Sequence, residues 1–142
     1  MLSTVERVLF LKQIDLFRSI PGEYLAEIAR ITREIAFNNG EVLMQEGDLG
    51  DYLYLIVSGT VSVTVKGREV ARLSQRDCVG EMAILDSEPR SATVTATQNV
   101  VALQIDRDDF YRIMHERTEI AEGIIKVLTH RLRARLETVA AK

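Results

Sequence analysis

Hydrophobic and polar residues change period twice along this chain. Residues 3–35 recur at helical spacing, with Val5, Val8, Leu9 and Leu11 on one apolar side and Tyr24, Leu25, Ile28, Ala29 and Ile31 on another. Ser3 and Glu6 stand at capping-box spacing before the first run. A break at Asp15–Ile20 leads to Pro21, which suits the first turn of a second helix. From Asn38 to Ile105 the period becomes two. Val61, Val63 and Val65 alternate with Thr60, Ser62 and Thr64, and Ala92, Val94 and Ala96 alternate with Ser91, Thr93 and Thr95. Tyr52–Val57 is apolar on both faces, which predicts a strand covered on both sides. Turn signals at Asn39-Gly40, Gly47-Asp48, Gly50-Asp51, Ser58-Gly59 and Lys66-Gly67 cut the region into short strands. After Asp106, an N-cap candidate, the period is helical again: Phe110, Ile113 and Met114 form a short face. Ile120, Ile124, Ile125, Leu128, Leu132, Leu136 and Val139 form a longer one.

This order predicts an α+β, mainly β protein. Its centre is an antiparallel, jelly-roll-like β-roll of about eight strands, flanked by N-terminal helices and two C-terminal helices. The 142 residues suit one domain: helices over 1–36, the roll over 37–105 and helices over 106–142.

Bulk properties narrow the function. Apolar residues make up 46% and charged residues 27%, the balance of a globular chain. A net charge of −3 gives no global basic field, so no nucleic-acid partner is expected. No apolar run approaches the roughly 20 residues that span a bilayer. The N-terminus, MLSTVERVLFLKQ, lacks the features of a signal peptide. Cys78, the single cysteine, excludes an internal disulfide and favours a reducing, cytoplasmic setting.

Chemistry concentrates in Cys78–Ala96, CVGEMAILDSEPRSATVTA, where the alternation breaks. Gly80-Glu81-Met82-Ala83-Ile84-Leu85 reads as a turn entering a short helix, and Asp86-Ser87-Glu88-Pro89 as loop. Arg90 then opens a strand with the inward parity of Ala92, Val94 and Ala96. A guanidinium pointing into a small roll needs an anion. Glu81, Asp86 or Glu88 could supply it as an internal ion pair, or a bound phosphate could meet the planar fork. The helix start at Gly80–Ala83 adds free backbone N–H groups, Gly80 permits close backbone approach, and Glu81 is a natural acceptor for a sugar hydroxyl. Both sources of the anion stay open on these residues alone.

At Val79-Gly80-Glu81-Met82-Ala83 and Pro89-Arg90-Ser91-Ala92-Thr93-Val94 the sequence resembles the phosphate-binding cassette of the cyclic-nucleotide-binding domain family. That family includes bacterial catabolite activator protein and the regulatory subunits of protein kinase A. The resemblance extends through Gly40, Gly47, Asp48 and the run Leu53–Gly59, the Leu16-Phe17 junction and both C-terminal helices. It implies a ligand-binding module with no chemistry of its own and no cofactor. In the cassette, 79–94, Arg90 would clamp a cyclic phosphate and Glu81 would accept the ribose 2′-hydroxyl. Gly80, Met82, Ala83, Ser91 and Ala92 would complete the cradle, in part through backbone N–H groups. Val79 replaces the usual aromatic, and Ser74-Gln75-Arg76-Asp77 lacks the glycine often found before the cassette. Ser91 is compatible with cAMP or cGMP, and the bacterial resemblance favours cAMP.

The last helix would lie over the open side of the roll and report occupancy, with Thr129 the best-placed polar residue for the base edge. Leu132, Leu136 and Val139 could continue into a homodimer seam. Arg131, Arg133 and Arg135 read as a solvated face, and no helix-turn-helix segment follows them. The output would therefore pass to an effector protein or to an attached domain. A metal-dependent cupin-type enzyme would need histidines among the strands, and His115 and His130 both fall in the C-terminal helices. Cys78 has no nearby histidine to activate it and reads as a structural thiol. A fold that has lost its ligand and only binds another protein is the remaining alternative.

Overall fold

Local chemistry sets the first helix. In the computed structural model, which describes residues 1–140, α1 (Thr4–Leu11) starts at a closed capping box. The Glu6 N–H donates to Ser3 Oγ at 3.2 Å, and the Ser3 N–H donates to Glu6 Oε1 at 2.9 Å. A 3₁₀ turn at Asp15–Phe17 buries Leu16 and Phe17, and α2 (Gly22–Arg30) follows Pro21. The strand period then begins earlier than the side-chain pattern indicates. β1 (Thr32–Phe37) occupies residues that spacing alone assigns to helix, so the boundary between helices and roll lies at residue 32. The cause is a partner far along the chain. Thr32 through Phe37 register antiparallel with Ile105 through Val100 of β8 (Val100–Asp106), which satisfies the backbone groups that a longer helix would have paired internally.

The other strands are β2 (Val42–Met44), β3 (Tyr52–Ser58), β4 (Val61–Val65), β5 (Arg68–Leu73), β6 (Cys78–Val79) and β7 (Thr93–Ala96). They form two four-stranded antiparallel sheets, ordered β1-β8-β3-β6 and β2-β7-β4-β5. The expected β-roll between helices is therefore the observed fold.

The doubly apolar strand has a specific explanation. β3 and β8 lie between two cores. Leu53, Leu55, Leu103 and Ile105 pack with Leu11, Phe17, Ile28 and Phe110 of the helices. From the other face, Tyr54, Ile56 and Ala102 pack with Phe37, Val61, Val79 and Val94 inside the roll.

Beyond the roll, Asp106 caps α4 (Arg107–Glu116), accepting from the N–H groups of Asp108 and Asp109 at 2.8 and 3.2 Å. The Phe110 and Phe17 ring centroids stand 6.3 Å apart and tie α4 to the N-terminal helices. α5 (Thr118–Ala140) buries Ile120, Gly123, Ile124 and Val127. A Cβ at Gly123 would lie 2.9 Å from the Ser19 carbonyl oxygen, so only glycine permits this backbone-to-backbone seat. The expectation that this helix covers the open side of the roll is corrected here. Ile124 joins the helical core, whereas Ile125, Leu128 and Leu132 are exposed, because α5 is seated on the Ser19–Ile20 turn rather than over the strands. No described helix is long and apolar enough to cross a membrane.

Candidate functional site

The break in the strand pattern becomes a loop crossing one mouth of the roll. β6 delivers the chain to Gly80, whose φ of +89° lies in the left-handed region that a side chain disfavours. The short helix α3 (Glu81–Asp86) begins at the next residue, as the sequence predicts. The return segment forms a single bridge between Pro89 and Leu49, and β7 starts only at Thr93. Arg90 thus precedes the strand it was expected to open, although Val94 and Ala96 keep the expected inward parity. Its backbone is held instead by the Gly47-Asp48 turn: the Arg90 N–H donates to the Asp48 carbonyl at 2.7 Å, and the Gly47 N–H donates to the Arg90 carbonyl at 2.9 Å.

The Arg90 side chain points inward and is only 6% exposed. Neither Glu81, Asp86 nor Glu88 pairs with it, and among the described residues no ion pair involves it. Its Nη1 donates to the Gly80 carbonyl at 3.0 Å, and its Nη2 donates to the Tyr52 carbonyl. Two neutral acceptors orient the fork without cancelling its charge. Burial pulls the guanidinium below its ordinary value, with Tyr54, Asp51 and Glu81 acting in the opposite direction. An arginine stays protonated at any physiological pH, so the site keeps a buried positive charge.

A cavity of about 160 Å³ opens beside this charge. Gly80, Glu81, Arg90, Ser91 and Ala92 line one part of it, and Met44, Val63, Leu73, Val79 and Val94 form an apolar wall from both sheets. A polar end with one fixed cation and one carboxylate, facing an apolar wall, suits a small anionic ligand that also has hydrogen-bond donors and an apolar portion. Cys78 also lines the cavity. Desolvation first, and the adjacent Glu81 second, push its thiol well above the ordinary range, so it is protonated and weakly nucleophilic at neutral pH.

The structure therefore brings together five of the expected residues: Gly80, Glu81, Arg90, Ser91 and Ala92. Met82 and Ala83 belong to α3, but their side chains lie outside the described part. Thr129 is not brought to the cavity. It is exposed on α5, about 200° around the helix from the buried Val127. Residue-level reading missed Tyr52, whose contribution is a backbone carbonyl with no side-chain signal. It also missed Met44 and Leu73, which only the folded roll brings to the cavity; Val63 was legible as an inward-facing position.

Comparison with known proteins agrees with this geometry. The cyclic nucleotide-binding domain family matches residues 34–117. A "CRP-like cAMP-activated global transcriptional regulator" from Mycobacterium tuberculosis is 31% identical over 128 residues, covering 87% of this chain and 57% of the relative. A cAMP-dependent protein kinase regulatory subunit from Emericella nidulans is 36% identical over 107 residues, covering 74% of this chain and 26% of that protein. The chain thus spans little more than half of the first relative and about a quarter of the second. Among solved structures, the N-terminal domain of a transcriptional regulator from Streptomyces coelicolor superposes with a TM-score of 0.78 at 30% identity, covering 91% of this chain and 93% of that one. A cyclic nucleotide-binding domain from Methylobacillus flagellatus superposes with a TM-score of 0.77 at 27% identity, over 95% and 79% of the two chains. With the cassette, the roll and the sequence match in agreement, the chain belongs to the cyclic nucleotide-binding domain family.

Proposed function

We propose that this chain is a regulatory sensor that binds a cyclic nucleotide, with cAMP favoured over cGMP, and performs no catalysis. The observation that carries this reading is Arg90: a buried, oriented guanidinium without a carboxylate partner among the described residues, at the polar end of a cavity also lined by Glu81 and Ser91. Its fork suits the two exocyclic oxygens of a cyclic phosphate, Glu81 accepts the ribose 2′-hydroxyl, and the apolar wall takes the base. The preference for cAMP rests on the names of the bacterial and fungal relatives. The output passes to an effector protein or to an attached domain, with the C-terminal helices as the moving part. Couplings of ~1–3 kcal/mol are typical for such transmission.

Calorimetric titration with cAMP, cGMP and 5′-AMP tests the reading. Saturable binding of a cyclic form, absent for 5′-AMP, supports it. Absence of heat for all three, with no rise in thermal stability at high ligand, refutes it and favours a protein-interaction module.

Glu81→Gln is expected to weaken cAMP roughly 10-fold, the usual order for one charge-assisted hydrogen bond, and to leave 2′-deoxy-cAMP unaffected. Equal losses for both nucleotides would remove Glu81 from the ribose.

The C-terminal helix is also proposed as a homodimer seam. Leu132, Leu136 and Val139 are 60%, 60% and 63% exposed along one stretch of α5. Sedimentation equilibrium is expected to show concentration-dependent dimers that Leu132→Glu abolishes. A monomer at all concentrations would refute the seam.

A further inference from the structure

The last carbonyls of an α-helix have no partner within the helix. At the end of α3 two of them, those of Ile84 and Leu85, are met by one side chain from elsewhere: the Tyr111 hydroxyl lies 2.7 and 3.0 Å from these oxygens and shares its proton between them. Tyr111 sits on α4, which Phe110 and Ile113 anchor in the helical core. One turn earlier, Arg107 places its guanidinium carbon 5.5 Å from the Tyr111 ring centroid and donates to Ser87 Oγ. Ser87 is the left-handed residue (φ +62°) that follows α3. The Arg107 N–H is itself fixed on the Asp51 carbonyl at 2.9 Å. The far end of α3 is therefore clasped to α4, while its near end carries Glu81 into the cavity wall, next to Gly80, whose carbonyl holds Arg90.

We propose that Tyr111 is a positioning residue for the ligand loop: without touching the cavity, its hydroxyl holds α3 at the distance from α4 that aligns Glu81 with Arg90, and it links movement of the loop to α4. The proposal rests on the ligand reading above, and its test separates the two. Tyr111→Phe keeps the ring, and with it the packing under Arg107, and removes only the hydroxyl. In the free protein, amide hydrogen exchange over residues 84–88 is expected to quicken about five-fold, the order of one hydrogen bond, with β3 and β8 unchanged. Affinity for cAMP is expected to fall by roughly the same factor, and protection of α4 amides on cAMP binding, present in the wild type, is expected to be lost. Unchanged exchange at 84–88, an equal rise across the whole chain, or local loosening with cAMP affinity intact would each overturn the positioning role. If the wild type itself does not bind cAMP, the ligand reading fails; the exchange experiment on free protein still decides whether the hydroxyl holds the loop.

Discussion

Replacing Arg90 by lysine is expected to lower cAMP affinity at least ~100-fold, about 2.7 kcal/mol, while leaving the chain folded. The size follows from geometry. The guanidinium already spends two N–H groups on the Gly80 and Tyr52 carbonyls, which aim its plane from β3 and the cassette at once. Its remaining donors project in a fixed fork that can meet two phosphate oxygens in parallel. An ammonium group offers three donors on a rotating point charge. It cannot hold both carbonyls and both oxygens in one plane. Positive charge is retained, so any electrostatic attraction without geometric demand would survive the change. Stability is expected to fall by only about 1–3 kcal/mol, the penalty for one buried carbonyl left unsatisfied. Titration of the variant with cAMP, alongside its thermal melt, separates the two effects. Unchanged affinity would mean that Arg90 serves only to tie two strands of the backbone together, and that the cavity does not receive a phosphate.

Gly80→Ala is the second change with a large expected effect, because it acts on that same guanidinium from the backbone side. A φ of +89° disfavours any Cβ, at about 1–2 kcal/mol. Space is also lacking. A Cβ here would collide with Arg90 Nη1 and stand 2.9 Å from Met44 Cε and 3.2 Å from the Tyr52 carbonyl oxygen. The Arg90 fork must therefore leave its two carbonyls. The melting temperature is expected to drop by roughly 5–10 °C, and cAMP binding to be lost at millimolar ligand. Gly67→Ala is the matched control. Its φ is +79° with nothing within 4 Å of the added carbon, so it carries the strain without the collision. It is expected to lower stability modestly and leave affinity intact. Equal loss of binding in both variants would show that general destabilisation, not displacement of Arg90, is responsible.

Several features were legible before folding because they depend on neighbours in the chain. The Ser3–Glu6 capping box and the Asp106 cap each involve groups within four residues of one another. Their hydrogen bonds form as soon as the local backbone turns. The alternation in β4 and β7 was legible for a similar reason, since one buried face imposes period two whichever strand pairs beside it. Even the covered strand β3 announced itself, because burial on both faces leaves no position for a polar residue between Leu53 and Ile56.

What could not be read involved partners remote in sequence. β1 is a strand because β8 lies beside it, and the segment Arg33–Ala36 has no strong preference of its own. The expected partner of Arg90 was a carboxylate or a phosphate, since side chains are what a sequence displays. The structure uses carbonyls of Gly80 and Tyr52, which every residue carries. Thr129 was expected at the base edge as the best-placed polar residue of a helix lying over the roll. Gly123 seats α5 on Ser19 and Ile20, and that seat turns Thr129 toward solvent.

By itself, then, the amino-acid sequence determined the order of helices and strands, the two helix caps and the inward face of β7, through contacts and periods a few residues long, while a family resemblance singled out the glycine, glutamate and arginine of the cassette. Only the tertiary structure decided where the first strand begins, what orients Arg90, which apolar side chains wall the cavity and where the last helix points. Those outcomes are set by long-range pairing and packing, whose free energy appears only when distant segments meet.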